Sequence, residues 1–153
     1  MQASLLCITH LFHQPVRNMD SEWLLRECLE QIGKRNNIAG LTLEPNGCAG
    51  IEVGDGRTVY VKLDREYDRV FVYRALLPLH QVDTEVLQRS MEFNVLESGT
   101  GGGVLSLSRR MEAIVYHMSV AASAIDASWL QDAMTQLLGK GERLAQSLIQ
   151  GAG

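Results

Sequence analysis

The chain has 153 residues, with 46% hydrophobic residues and 14 Lys and Arg set against 18 Asp and Glu, a profile of one ordinary globular domain. Folding at this length buries about 69% of the extended-chain surface, so no disulfide scaffold or structural metal is needed. The formal charge of −4, with cations scattered along the chain, argues against a nucleic-acid binder, which needs clustered cations to release counterions from phosphates.

The three cysteines, Cys7, Cys28 and Cys48, cannot all pair with one another, which points to a reducing compartment and a cytoplasmic address. Residues Ala3 to Phe12 are apolar, but no Lys or Arg precedes them and His10 interrupts them, so they make no convincing export signal. No run reaches the roughly 18 apolar residues of a membrane span. The expected layout is an apolar extension over residues 1–19, one domain over 20–150 and a frayed tail over 151–153.

Asp20 and Ser21 are possible caps for a first helix whose apolar positions Leu24, Leu25, Cys28, Leu29 and Ile32 recur at steps of three and four. Gly33 and Asn36-Asn37 let it end. From Gly40 to Leu77 the period changes to two. Asn46-Gly47 and Asp55-Gly56 are turn dipeptides, and the second separates Ala49, Ile51 and Val53 from Val59, Val61 and Leu63, a hairpin signal. Arg69 to Leu76 makes a third strand, stopped by Pro78.

Asp83 caps a second helix, with Val82 and Leu87 placed for a hydrophobic staple and Leu87, Met91 and Val95 forming one stripe. The stretch Ser98 to Gly103 ends it. Strands follow over Val104 to Ser108 and Ala113 to Val120. The last helix starts at either an Asp126 cap or a Ser128/Gln131 capping box and buries Leu130, Met134, Leu137, Leu144 and Leu148. Gly139 and Gly141 within it predict a kink or a close approach to a neighbour. The fold class is therefore α+β: helix, three-strand antiparallel meander, helix, two-strand hairpin, helix.

No motif carries covalent chemistry. Cys7, His10 and His13 have helical ligand spacing but lack a fourth donor to close a zinc tetrahedron. Cys48 would serve as a nucleophile only if His80 or His117 lay against it, and its apolar strand setting reads instead as packing. Gly99 to Gly103 follows a helix and precedes a strand, the reverse of a phosphate cradle, and reads as a flexible connection. The chain is therefore read as a non-enzyme that needs no cofactor and no metal.

The element order and its punctuating residues resemble the class I type III secretion chaperones, the Tir chaperone family. The resemblance is carried by Leu41-Thr-Leu-Glu-Pro-Asn-Gly-Cys48-Ala-Gly-Ile51, the meander ending in Leu77-Pro78-Leu79, and Val86-Leu87 to Met91-Glu-Phe-Asn94-Val-Leu96 with Val104 to Leu107 after it. Ile114 to Val120 and the leucine-rich final helix complete it. It covers Ser21 to Gln150. It implies a cytoplasmic bacterial homodimer that holds the N-terminal segment of a secreted effector in extended form without ATP. It also implies an interface over Leu87, Met91, Val95, Leu105 and Leu107, and partner contacts from Leu25, Leu29, Ile32, Leu41, Leu43, Ile51 and Val53. The physical logic is β-augmentation, in which an edge strand and an apolar groove accept an extended peptide. Residues 1–19 depart from the family, as a groove cover, a sheet partner or an upstream start with Met19 the older initiator. Two other readings are a dimeric adaptor for a folded regulator and a small Cys48-dependent enzyme.

Overall fold

The computed structural model describes residues 19–97 and 99–151. Its elements are α1 (Met19–Asn36), β1 (Cys48–Val53), β2 (Arg57–Asp64), β3 (Arg69–Pro78), α2 (Thr84–Phe93), β4 (Val104–Ser108), β5 (Ala113–Ala121) and α3 (Ala127–Gln150). The five strands form one antiparallel sheet in the order β1-β2-β3-β5-β4. The expected meander and hairpin are thus halves of a single sheet, joined by β3 and β5 along a ladder from Arg69↔Ala121 to Pro78↔Ala113. A bulge at Ala75/Leu77 shifts that register.

The helices cover one face of the sheet. Leu25, Cys28, Leu29 and Ile32 of α1, and Leu130, Met134, Leu137, Leu144 and Leu148 of α3, pack with Ile51, Val59, Val61, Val70, Val72 and Tyr116 into one core. Period two does the rest. The alternate positions Tyr60, Phe71, Tyr73 and His117 line the other face, which no helix among the described residues covers.

Local chemistry fixes the element ends. Asp83 accepts from Val86 N at the start of α2, and Asp126 accepts from Trp129 N at 2.7 Å, so the Asp cap and not the Ser128/Gln131 box opens α3. α1 begins at Met19, ahead of its expected caps, and passes through Gly33. Asn37, at φ 56°, ends it instead, with Ile38 N donating to Gly33 O at 2.8 Å. Gly33 is glycine because the carbonyl oxygen of the returning Ile38 lies 2.9 Å from where a Cβ would sit. α3 runs unbroken through Gly139, and the close approach is at Gly141, whose Cβ would stand 3.2 Å from Arg74 and Leu76.

Candidate functional site

After α1 the chain doubles back along it. Leu41 reaches Gly33, Arg26 donates to the Leu43 carbonyl at 2.8 Å, and Arg65 donates to the Pro45 carbonyl and to Glu22. Arg26 and Arg65 together hold the Glu22 carboxyl below its ordinary pKa. Residues 41–44 are therefore not the strand that their alternation predicted, because Arg26 takes up the Leu43 carbonyl that a strand partner would have used. Between α1 and this segment lies a groove of about 810 Å3, with Trp23, Ile38 and Leu41 as apolar lining and Arg26, Glu30 and Lys34 on its rim. Trp23 is 62% exposed.

The segment delivers the chain to β1, an outer strand of the sheet. Leu63 N donates to Gly47 O at 2.8 Å, so in this register Ala49, Ile51 and Val53 bond to β2 while Cys48, Gly50 and Glu52 point their backbone groups away from it. Cys48 is already served: its N–H donates to Asn46 Oδ1 and its carbonyl accepts from Glu44 N. Among the described residues nothing pairs with the outward backbone groups of Gly50 and Glu52, which form an open stretch of edge.

The opposite edge, β4, is closed differently. Asn94, just past α2, donates through Nδ2 to the Leu105 carbonyl at 2.9 Å and accepts from Leu105 N at 2.8 Å. One side-chain amide thereby imitates a neighbouring strand at Leu105, near the start of β4, and blocks pairing there. Around it lie exposed apolar residues: Leu87 and Met91 of α2, Val95 and Leu96 after it, and Leu107 of β4. Met91 is 73% and Leu96 94% exposed. Val95 lies beyond α2, and Leu96 turns the chain at φ 50°, so the expected stripe is a patch over two elements and not one helix face.

Of the positions expected to touch a partner, Leu25, Leu29, Ile32, Leu43 and Ile51 are buried in the chain's own core, and Leu41 and Val53 remain half-buried at the surface. Leu105 is also buried, whereas Leu87, Met91, Val95 and Leu107 are exposed. Reading the sequence missed Trp23 and Asn94. Trp23 falls between the apolar positions of α1 and could have been flagged as a large aromatic off the core face; Asn94 carried no local signal, because its partner is 11 residues away.

The catalytic alternative finds no geometry. Cys48 is on β1 and His117 on β5, three strands apart in the sheet, or about 14 Å at ordinary strand spacing. The His117 ring instead lies 2.7 Å from Ser106 Oγ and edge-on to Phe71. His80 follows β3 beyond Pro78, well along the sheet from the Phe71 position that shares a row with Cys48 and Lys62. Cys7, His10 and His13 lie outside the described residues. Among the described residues no group of His, Cys, Asp and Glu could hold a metal ion, and no helix is long and apolar enough to cross a membrane.

The profile of the Tir chaperone protein (CesT) family matches residues 27–145. The chain belongs to this family. No curated protein sequence matches this Tir chaperone family member, but solved structures share its fold. A chain of the ExsC-ExsE complex superposes with a TM-score of 0.75 at 13% identity, over 86% of this chain and 98% of that one. The HopA1-SchA chaperone-effector complex gives 0.70 at 13% identity, over 83% and 97%. The Yersinia pestis type III secretion chaperone SycH, solved in complex with a stable fragment of YscM2, gives 0.61 at 13%, over 78% and 98%.

Proposed function

We propose that this Tir chaperone family member is a cytoplasmic type III secretion chaperone that holds the N-terminal segment of a secreted effector in extended form. The observation that carries the reading is the β1 edge at Gly50 and Glu52, unpaired among the described residues, on a chain whose other edge is plugged at Leu105 by Asn94. A client strand laid against β1 gains main-chain hydrogen bonds there, and its alternate side chains reach the sheet face and the helix layer. Trp23, Ile38 and Leu41 offer the apolar groove, and Val53 lies at the end of the same strand. Binding by main-chain pairing keeps the client unfolded and requires no nucleotide.

The α2/β4 patch serves a second copy of the chain. Exposed apolar residues clustered in this way mark association surfaces, and Met91, Val95, Leu96 and Leu107 are its centre. The test is co-expression with N-terminal segments of effectors from the same secretion system. Native mass spectrometry should show two copies of the chain with one extended segment and no bound nucleotide. A monomer that retains none of those segments would refute the reading.

A further inference from the structure

A second concavity, of about 410 Å3, lies where β2 and β3 approach the β1–β2 turn and the β4–β5 turn, lined by Arg57, Thr58, Tyr60, Arg74, Ala75 and Met111. The β2–β3 ladder stops at Tyr60↔Tyr73 while both strands run on, so the small side chains of Thr58 and Ala75 line the gap where the two strands part. Tyr60, stacked on Tyr73 at 5.3 Å, rises beside them, and Met111 lines the depression from the turn between β4 and β5.

Its charge is unevenly matched. Arg74, with a side chain 7% exposed, donates to Glu142 Oε1 at 3.1 Å and to the Leu137 carbonyl at 3.5 Å. The same Glu142 oxygen is also the acceptor nearest Arg57 Nη1, at 3.5 Å. The other contacts of Arg57 are equally long: Nε to Gly54 O at 3.4 Å and Nη2 to Asp55 Oδ2 at 3.7 Å. Charge-assisted guanidinium–carboxylate bonds close to about 2.7–2.9 Å when geometry permits. Arg57 therefore has a planar fork of donors held by nothing at full strength, beside an aromatic and a thioether wall.

We propose that this depression receives an acidic side chain, Asp or Glu next to an apolar residue, from an extended polypeptide, the carboxylate making a two-pronged pair with Arg57. The proposal deepens the client-binding reading, on which it rests for the ligand being a polypeptide. The incoming carboxylate replaces the 3.7 Å contact with exposed Asp55, while Arg74 keeps Glu142 in place beneath. Its apolar neighbour lies against Tyr60 and Met111.

The test uses the full chain and three labelled eight-residue peptides, alternating Leu with Glu, Gln or Lys, titrated by fluorescence anisotropy at low and high salt. The Glu peptide should bind at least about tenfold more tightly than the Gln peptide, with the difference shrinking in high salt. Arg57→Gln should bring the Glu peptide to the level of the Gln peptide and leave the latter unchanged, and Arg57→Lys, which keeps charge but not the fork, should recover only part of the difference. Equal affinities for all three peptides, no saturable binding to about 1 mM, or a parallel loss for Glu and Gln peptides in Arg57→Gln would overturn the proposal. The two readings fail separately. Effector segments retained equally by wild type and Arg57→Gln, with no peptide discrimination, sink the depression alone; a chain that selects the Glu peptide yet ignores every effector segment sinks the chaperone reading.

Discussion

At the residue scale, the glycine run shows how one residue type hides two meanings. Gly99 to Gly103 reads as a flexible connection in the sequence, yet the structure pins it: Tyr116 Oη donates to Thr100 O at 2.7 Å, and Gln136 Nε2 donates to Gly101 O at 2.7 Å and to Tyr116 Oη at 3.0 Å. Gly103 is there for lack of a Cβ, which would stand 2.2 Å from the ring of fully buried Tyr116. Gly103→Ala should cost about 1–3 kcal/mol, because neither the ring nor the strand can give way, and thermal unfolding should fall by several degrees; an unchanged melting temperature would contradict the contact. His117 is one residue through which pH acts. Burial holds its pKa below the ordinary 6.5, so the unfolded chain takes up a proton before the folded chain does. Stability is then flat above about pH 6.5 and falls as pH drops below it. Melting curves from pH 7.5 to 5.5 should show this decline, and His117→Gln should flatten it; a parallel decline in the variant would assign the effect to other groups.

At the element scale, the strands and caps were legible because their signals are local. Asp83 and Asp126 cap as their sequences indicate, and the Asp55-Gly56 turn joins the strands whose alternation surrounds it. Which apolar positions meet a partner was not legible. Leu25, Leu29, Ile32, Leu43 and Ile51 share the periodicity of any core-facing residue, and periodicity reports a buried face without saying whose atoms cover it. The pairing of β3 with β5 was equally hidden, since it joins segments separated by the whole of α2 and β4. The α2 prediction follows from exposure. Met91 is 73% exposed within the single chain, so Met91→Glu should leave the melting behaviour of the isolated fold nearly unchanged. Buried against a second copy, the same carboxylate would be unpaired and cost several kcal/mol. Sedimentation should therefore show the variant as a monomer at concentrations where the wild type is dimeric, and a variant that remains dimeric would move the interface elsewhere.

At the scale of the whole molecule, the chain treats its two sheet edges differently. Asn94 occupies the Leu105 position near the start of β4 with its own amide, and the turn at residues 44–46 occupies the Cys48 end of β1, so that among the described residues Gly50 and Glu52 stay unpaired beside a helix layer that carries the Trp23 groove. Sheet edges left open invite pairing with another chain, and a chaperone for extended polypeptides makes use of that tendency. Asn94→Ala should therefore weaken the fold and also uncover β4, so that the variant aggregates on concentration, as light scattering would register; a variant as soluble and as stable as the wild type would deny the plug its role. Residue-resolved amide exchange, recorded for the chain alone and with the N-terminal segment of a bound effector, tests the central claim most directly. The Gly50 and Glu52 amides should exchange quickly in the free chain and become strongly protected in the complex, without added ATP, while Ala49 and Ile51 are protected in both. An effector segment that binds with the Gly50 and Glu52 amides still exchanging freely would contradict the account.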